Sequence, residues 1–300
     1  MTRQRQLNRL LQLSSHPAAL QHQHLSSLWL SSSKMTFTTS AMSSDNNKMI
    51  TWPKFTLYGD PNMRPFRNIW MLEEIGVNYN HVNCKPWSSK AKAVHPLGKV
   101  PALVVEPRFV NNDQQQPFVV LESGAINTFL GDLAREIESN EHSKDVMVPP
   151  PATLLRAKYD SLILFIVTEI DFQALWIHRK HSDLKDVFGD APTAVAEAKR
   201  QFHNALGAIE LELNNESGYL LPSGFSPADI LLATCCFWAQ QIGWLARSLD
   251  EATTTDADKE SQKKQLTPKL MAYLARCRHR PAFIKANVLR KAQENHLSKL

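Results

Sequence analysis

The chain has 300 residues, enough for one or two domains with a substantial core, which excludes a small disulfide scaffold or a peptide-sized module. Its 43% hydrophobic and 21% charged residues, with only 10 glycines, fit a globular protein and exclude a fibrous or wholly disordered one. The formal charge of +5 invites a nucleic-acid or anionic-membrane partner until its distribution along the chain is read.

Residues 1–50 carry +4 of that charge, from Arg3, Arg5, Arg9, Lys34 and Lys48 against Asp45, and the remaining 250 residues carry +1. The near-neutral body argues against nucleic-acid binding. The leader has no glycine, is rich in Ser, Gln, Leu and His, and places Leu7, Leu10 and Leu11 at i, i+3, i+4 of a helix. Such a composition predicts an organellar transit segment, mitochondrial ahead of plastid. The alternatives are a disordered tail, or translation from Met35 or Met49 and a cytoplasmic protein. The longest apolar runs, Leu162–Val167 and Ile230–Ala239, fall short of the ~18 residues that span a bilayer, so a soluble mature chain with no membrane partner is expected. Cys84, Cys235, Cys236 and Cys277 form no CxxC pair and have no metal-ligand spacing with histidine. They read as free structural thiols, with no metal site.

From Pro53 strands and helices alternate. Lys54–Tyr58 alternates with period two and ends in the turn residues Gly59-Asp60-Pro61-Asn62. A helical stripe follows through Phe66, Ile69, Trp70, Leu72 and Ile75, with Pro65 in its first turn and Gly76 at its cap, and Val77–Val82 reads as a second, parallel strand. After an irregular stretch from Lys85 to His95, strands are predicted at Pro101–Glu106 and Pro117–Glu122, joined by a polar insertion at Asn111–Gln116. A helix from Ser123 to about Glu138 completes a β-α-β-β-α unit. Pro149-Pro150-Pro151 marks a stiff linker, and five helices are predicted beyond it, at about 152–180, 191–214, 226–247, 266–278 and 281–297. The stretch Asp250–Lys264 reads as a mobile loop. The organisation is thus a leader over 1–50, an α/β domain over 53–140, a linker over 141–151 and an all-helical domain over 152–298.

Three segments carry chemistry. In Gly98-Lys99-Val100-Pro101 a proline opens a strand, and a cis bond is one way to make the turn it needs. The Val100 peptide would then face outward and could pair with an extended peptide ligand. In Leu121-Glu122-Ser123-Gly124 a strand ends in an acid and a helix begins, with Ser123 suited to the N-cap. The helix N–H groups could hold a carboxylate while Glu122 holds an ammonium. Ser226-Pro227-Ala228-Asp229-Ile230 is a capping box with Phe225 and Ile230 as its staple, a folding motif rather than a catalytic one. His178 and His181, with Arg179 and Lys180, read as a solvated basic face. For Trp176, Trp238 and Trp244 core packing is the preferred role over lining a substrate pocket.

In order and spacing these segments resemble the glutathione transferase superfamily over about residues 53–295. The first half resembles its thioredoxin-like domain through Leu57-Tyr58-Gly59, Arg67–Gly76, Gly98-Lys99-Val100-Pro101 and Glu122-Ser123. The second resembles its all-helical domain through Ser226–Ile230 and Arg280-Pro281-Ala282. The resemblance implies a dimeric enzyme that takes glutathione as co-substrate and directs its thiolate at a hydrophobic electrophile or peroxide. It implies that Val100 pairs with glutathione through its backbone, that Pro101 is cis, and that Glu122 and Ser123 hold the γ-glutamyl end. Lys99, with Lys90 and Lys92, is a candidate for the glycine carboxylate. The superfamily places a Ser, Cys or Tyr before the first helix, and here Asp60-Pro61-Asn62-Met63-Arg64-Pro65 offers neither hydroxyl nor thiol. Asn62, through its amide, is then the first candidate for activating the thiol, and Arg64, through its fixed charge, the second. The alternative is a non-catalytic binding or interaction module of the same fold.

Overall fold

The computed structural model describes residues 52–106, 116–138, 147–248 and 267–297. The leader over 1–50, the insertion at 111–115 and the stretch 250–264 lie outside the described residues.

Strand β1 (Lys54–Tyr58) buries Phe55 and Leu57 completely, as its alternation requires. Helix α1 (Pro65–Glu74) has proline in its first turn and buries the stripe Phe66, Ile69, Trp70 and Leu72. Strand β2 (Tyr79–Val82) lies parallel to β1, as a helical crossover between neighbours demands. A short helix α2 (Ser89–Lys92) occupies the stretch read as irregular. Its first turn is capped by Ser88, whose Oγ accepts the Ala91 N–H at 3.3 Å. Strands β3 (Ala102–Glu106) and β4 (Phe118–Leu121) pair antiparallel, and β3 also pairs antiparallel with β1, giving the order β2-β1-β3-β4. Helix α3 (Ser123–Glu138) packs beside α1. This is a thioredoxin-like α/β layer.

Among the described residues beyond 150, the chain is helical: α4 (Leu154–Asp183), α5 (Lys185–Phe188), α6 (Pro192–Glu210), α7 (Pro227–Gln241), α8 (Pro268–His279) and α9 (Pro281–Leu297). Threonines open two of them, with Thr153 Oγ1 accepting the Arg156 N–H and Thr267 Oγ1 the Leu270 N–H, each at 3.1 Å. The capping box opens α7. Its Asp229 carboxylate accepts the Ser226 N–H and O–H, both at 2.9 Å, and the Leu220 N–H at 3.0 Å. Phe225 lies against Trp70 and Tyr219, at ring distances of 5.8 and 5.3 Å.

Helix α4 departs from ordinary geometry. Over Ile166–Leu175 and Arg179–Asp183 its hydrogen bonds run i→i−5, for example from the Leu184 N–H to the Arg179 carbonyl at 2.9 Å. Such widened turns are rare beyond a single turn and concentrate at functional sites. They change the angular phase of the residues that follow, which corrects one expectation. His178 lies inside, its ring 5.1 Å from Trp244, instead of on a solvated basic face. A second correction concerns the bilayer test. Uninterrupted apolar runs are short, yet α4 as a whole is long and apolar enough, by length and composition alone, to cross a membrane. Here it packs against α6 and α7 and carries the buried charge of Asp171.

The α/β and helical layers share one core. Trp70 meets Phe283 of α9 at 4.8 Å, and its indole N–H donates to Glu74 at 2.8 Å. Glu74 in turn accepts two bonds from Arg280, at 2.6 and 2.8 Å. The Arg280 guanidinium lies 3.6 Å over the Phe225 ring, so the end of the chain is clamped onto α1 by charge and by packing. All four cysteines are free and buried.

Candidate functional site

The site forms where β1 ends. Gly59 has φ +137°, and a Cβ there would stand 2.9 Å from the Val100 Cβ and run into the Pro65 ring. Only glycine lets the start of α1 and the segment before β3 come this close. The Val100–Pro101 peptide is cis, as the resemblance implied. Val100 is half-buried and lies outside the ladder, which begins at Ala102. Lys99 beside it is exposed, as are Lys90 and Lys92 on α2.

Glu122 and Ser123 stand at the turn from β4 into α3, and here the capping assignment is corrected. The helix begins at Ser123 itself, and it is the Glu122 carbonyl that accepts the Ile126 N–H at 2.9 Å. Ser123 is therefore the first helical residue rather than the N-cap, and its hydroxyl faces Arg67, whose Nη1 donates to it at 3.3 Å. Glu122 is exposed with φ +69°, a left-handed conformation that costs a non-glycine residue about 1 kcal/mol or more and tends to mark functional turns. His95 is buried nearby; burial lowers its pKa, the Glu122 charge opposes that and the Lys99 charge adds to it. Its Nδ1 accepts the Leu97 N–H at 3.0 Å, a bond that closes the turn before Gly98 within the same loop. No feature of the sequence marked His95 for this place.

Behind that turn lies the strongest electrostatic feature. Arg67 is buried and donates to Asp171 at 2.6 Å, Thr234 at 2.9 Å, Cys235 at 3.0 Å and Ser123. The same Asp171 carboxylate accepts the Arg64 Nε at 3.0 Å and also its Nη2. Burial disfavours the charge on Asp171, but the Arg67 and Arg64 guanidinium groups more than offset this and hold its carboxyl at about 2. Burial pushes the Cys235 thiol up to about 12, so it stays neutral despite Arg67. Two guanidinium groups thus share one carboxylate at the positive end of α1.

Of the two candidates for thiol activation, Asn62 is exposed. Its backbone N–H bonds Asp60 at 2.9 Å, and its side chain makes no hydrogen bond among the described residues. Arg64 is present at the helix start, but its charge is shared with Asp171. Its guanidinium sits 5.3 Å from the Trp176 ring and 5.4 Å from that of Trp238. Trp244 is a core residue, buried between His178 and Phe202, whereas Trp176 and Trp238 are half-buried around Arg64. Sequence pattern does not reveal the part played by Arg67; its place in the first turn of α1 is its only mark, and its partner Asp171 lies 104 residues away. Among the described residues no group of three metal-binding side chains comes together.

Residues 53–132 match the family model of the glutathione S-transferase N-terminal domain. Glutathione S-transferase 1 of Saccharomyces cerevisiae is 23% identical over 194 residues, covering 57% of this chain and 74% of that protein. A glutathione transferase from Methylococcus capsulatus superposes with a TM-score of 0.54 at 22% identity, over 79% of this chain and 99% of its own. The glutathione transferase URE2P8 from Phanerochaete chrysosporium, solved with oxidized glutathione, gives 0.58 at 18% identity over 84% and 99%. Residues 53–132 thus form a glutathione S-transferase N-terminal domain, and the chain as a whole, a thioredoxin-like sheet with a helical layer packed on its first helix, shares the fold of the glutathione transferases.

Proposed function

We propose that this protein is a glutathione transferase, which binds glutathione along Val100, Pro101, Glu122 and Ser123, favours its thiolate, and directs it at a hydrophobic electrophile beside the helical layer. The observation that carries this reading is the charge inequality at the start of α1, where Arg64 and Arg67 share the one carboxylate of Asp171. A sulfur placed there meets the helix N-terminus and the unshared cationic charge, both of which favour its deprotonated form. Arg67 also bonds the Ser123 hydroxyl, so one buried side chain joins the proposed γ-glutamyl contact to the proposed activating charge. Asn62 stands in the same loop with a free amide as a further donor. The thiol proton passes to solvent. The sulfur then bonds the electrophilic carbon while the leaving group departs with its electron pair. The relative solved with oxidized glutathione supports the choice of ligand. The composition of residues 1–50 supports organellar import, and the resemblance supports a homodimer.

One observation favours a second reading, a glutathione-binding module without turnover: the loop Asp60–Pro65 has no hydroxyl or thiol to aim at sulfur. The test uses the full-length chain, retained on immobilised glutathione, assayed with a generic electrophile, and titrated for the ultraviolet absorbance of bound thiolate. The transferase reading expects retention, turnover, and a thiol pKa clearly below the ordinary ~8.5. Arg64→Gln is expected to raise that pKa by about one unit, and Asn62→Ala by less. Failure of retention overturns the reading. Retention without turnover, and with an ordinary thiol pKa, establishes the binding module in its place.

A further inference from the structure

We propose that the second-substrate position of this site selects aromatic carboxylates, recognised by Arg64 and Lys180 around the indole of Trp176; this rests on the transferase reading above and names the substrate class of that site. Arg64 is held on three sides. Trp176 of α4 and Trp238 of α7 approach its guanidinium at 5.3 and 5.4 Å, and Asp171 takes its Nε and Nη2. Its Nη1 has no hydrogen-bond partner among the described residues, and the side chain keeps 30% of its surface exposed. The rings and the carboxylate therefore fix the plane of the guanidinium and leave one donor edge open.

A second cation attends the same indole. The Lys180 Nζ lies 5.7 Å from the Trp176 ring and 5.8 Å from that of Phe188, and those two rings pack edge to face at 6.4 Å. Lys180 forms no ion pair among the described residues. Among the described residues the one carboxylate bonded to Arg64 is also bonded to the buried Arg67, so positive charge exceeds negative among these aromatic surfaces. A neutral hydrophobic electrophile would use the rings alone. A planar aromatic acid would use the rings and in addition give its carboxylate to the Arg64 Nη1 and the Lys180 ammonium, as charge-assisted hydrogen bonds.

The test compares kcat/KM of the full-length protein, with glutathione, for a chlorodinitrobenzoate and the matching chlorodinitrobenzamide, each divided by its uncatalysed rate with glutathione. In both reactions the thiolate sulfur bonds the ring carbon that bears chlorine, chloride leaves with the electron pair, and one thioether forms. The normalised ratio is expected to favour the carboxylate by about tenfold, through a lower KM. Lys180→Gln, on a half-buried face, is expected to lower that ratio about threefold, as added salt would also do. Arg64→Lys, which keeps a cation beside Asp171, should lower it further. Turnover of the amide with a wild-type ratio near one, or a ratio that neither variant moves, overturns this inference and leaves the transferase reading standing. Absence of turnover of both compounds overturns the two together.

Discussion

Two aspartates lie inside the helical layer, and their carboxyls move in opposite directions. Asp171 on α4 meets two guanidinium groups and is held at about 2, whereas Asp229 on α7 meets only neutral donors. Burial pushes Asp229 up to about 6, and the bonds from Leu220 and Ser226 offset that only in part. Both are closed off from solvent, so the difference lies in the partners. Neutral donors satisfy a carboxylate's geometry, while a neighbouring charge also replaces the lost solvation energy. The first arrangement stands at the junction of the two layers beside the proposed glutathione pocket, and the second organises the start of one helix.

The sharpest way to break this contrast is Asp171→Ala, which leaves Arg67 buried without a counter-ion and Arg64 without its anchor. A loss of about 3–5 kcal/mol is expected in urea unfolding at neutral pH. A loss below about 1 kcal/mol would mean that the guanidinium groups find other partners and that the two regions do not differ in kind.

Titration sharpens the contrast by sign. Asp229 has a folded pKa above its ordinary 3.8, so its contribution is fully present below 3.8 and is lost as pH rises through about 6. Asp171 has a folded pKa below 3.8, so its contribution is present above 3.8 and is lost as pH falls through about 2. Lowering the pH from 7 toward 4 should therefore raise the share of stability governed by Asp229, by up to about 3 kcal/mol, and further acid should remove that of Asp171. In Asp229→Asn the first change should vanish while the acid loss remains, as read from urea midpoints across that range. An unchanged profile in this variant would assign the midrange titration to another group.

The smallest effect belongs to Ser226→Ala, which removes one O–H donor from Asp229 and weakens the opening of α7. A loss of about 1 kcal/mol is expected in thermal unfolding, with retention on glutathione intact.

Local pattern made most elements legible. The alternation in Lys54–Tyr58, the apolar stripe of α1, the helix from Ser123 and the capping box Ser226–Asp229 all follow from short-range periodicity or spacing. Short-range pattern failed where the backbone or the partner is set from elsewhere. The widened turns of α4 rotated His178 inward, and nothing in the composition of that stretch signals i→i−5 bonding. Glu122 adopts a left-handed conformation in which glycine or asparagine would be expected, because the neighbouring strand and helix fix its path. Arg64 was readable as a charge near the helix start, but its sharing of Asp171 was not, since 107 residues separate the pair.

The sequence by itself determined the layers of this protein and their order, and it singled out the segments proposed to meet glutathione, because strand alternation, helical stripes and caps are encoded within a few residues of one another. Tertiary structure decided the electrostatics of the site. Whether Arg64, Arg67, Ser123 and Lys180 act as isolated groups or as one assembly depends on α4 and α7 packing across α1, and burial there turns distant side chains into strongly interacting charges.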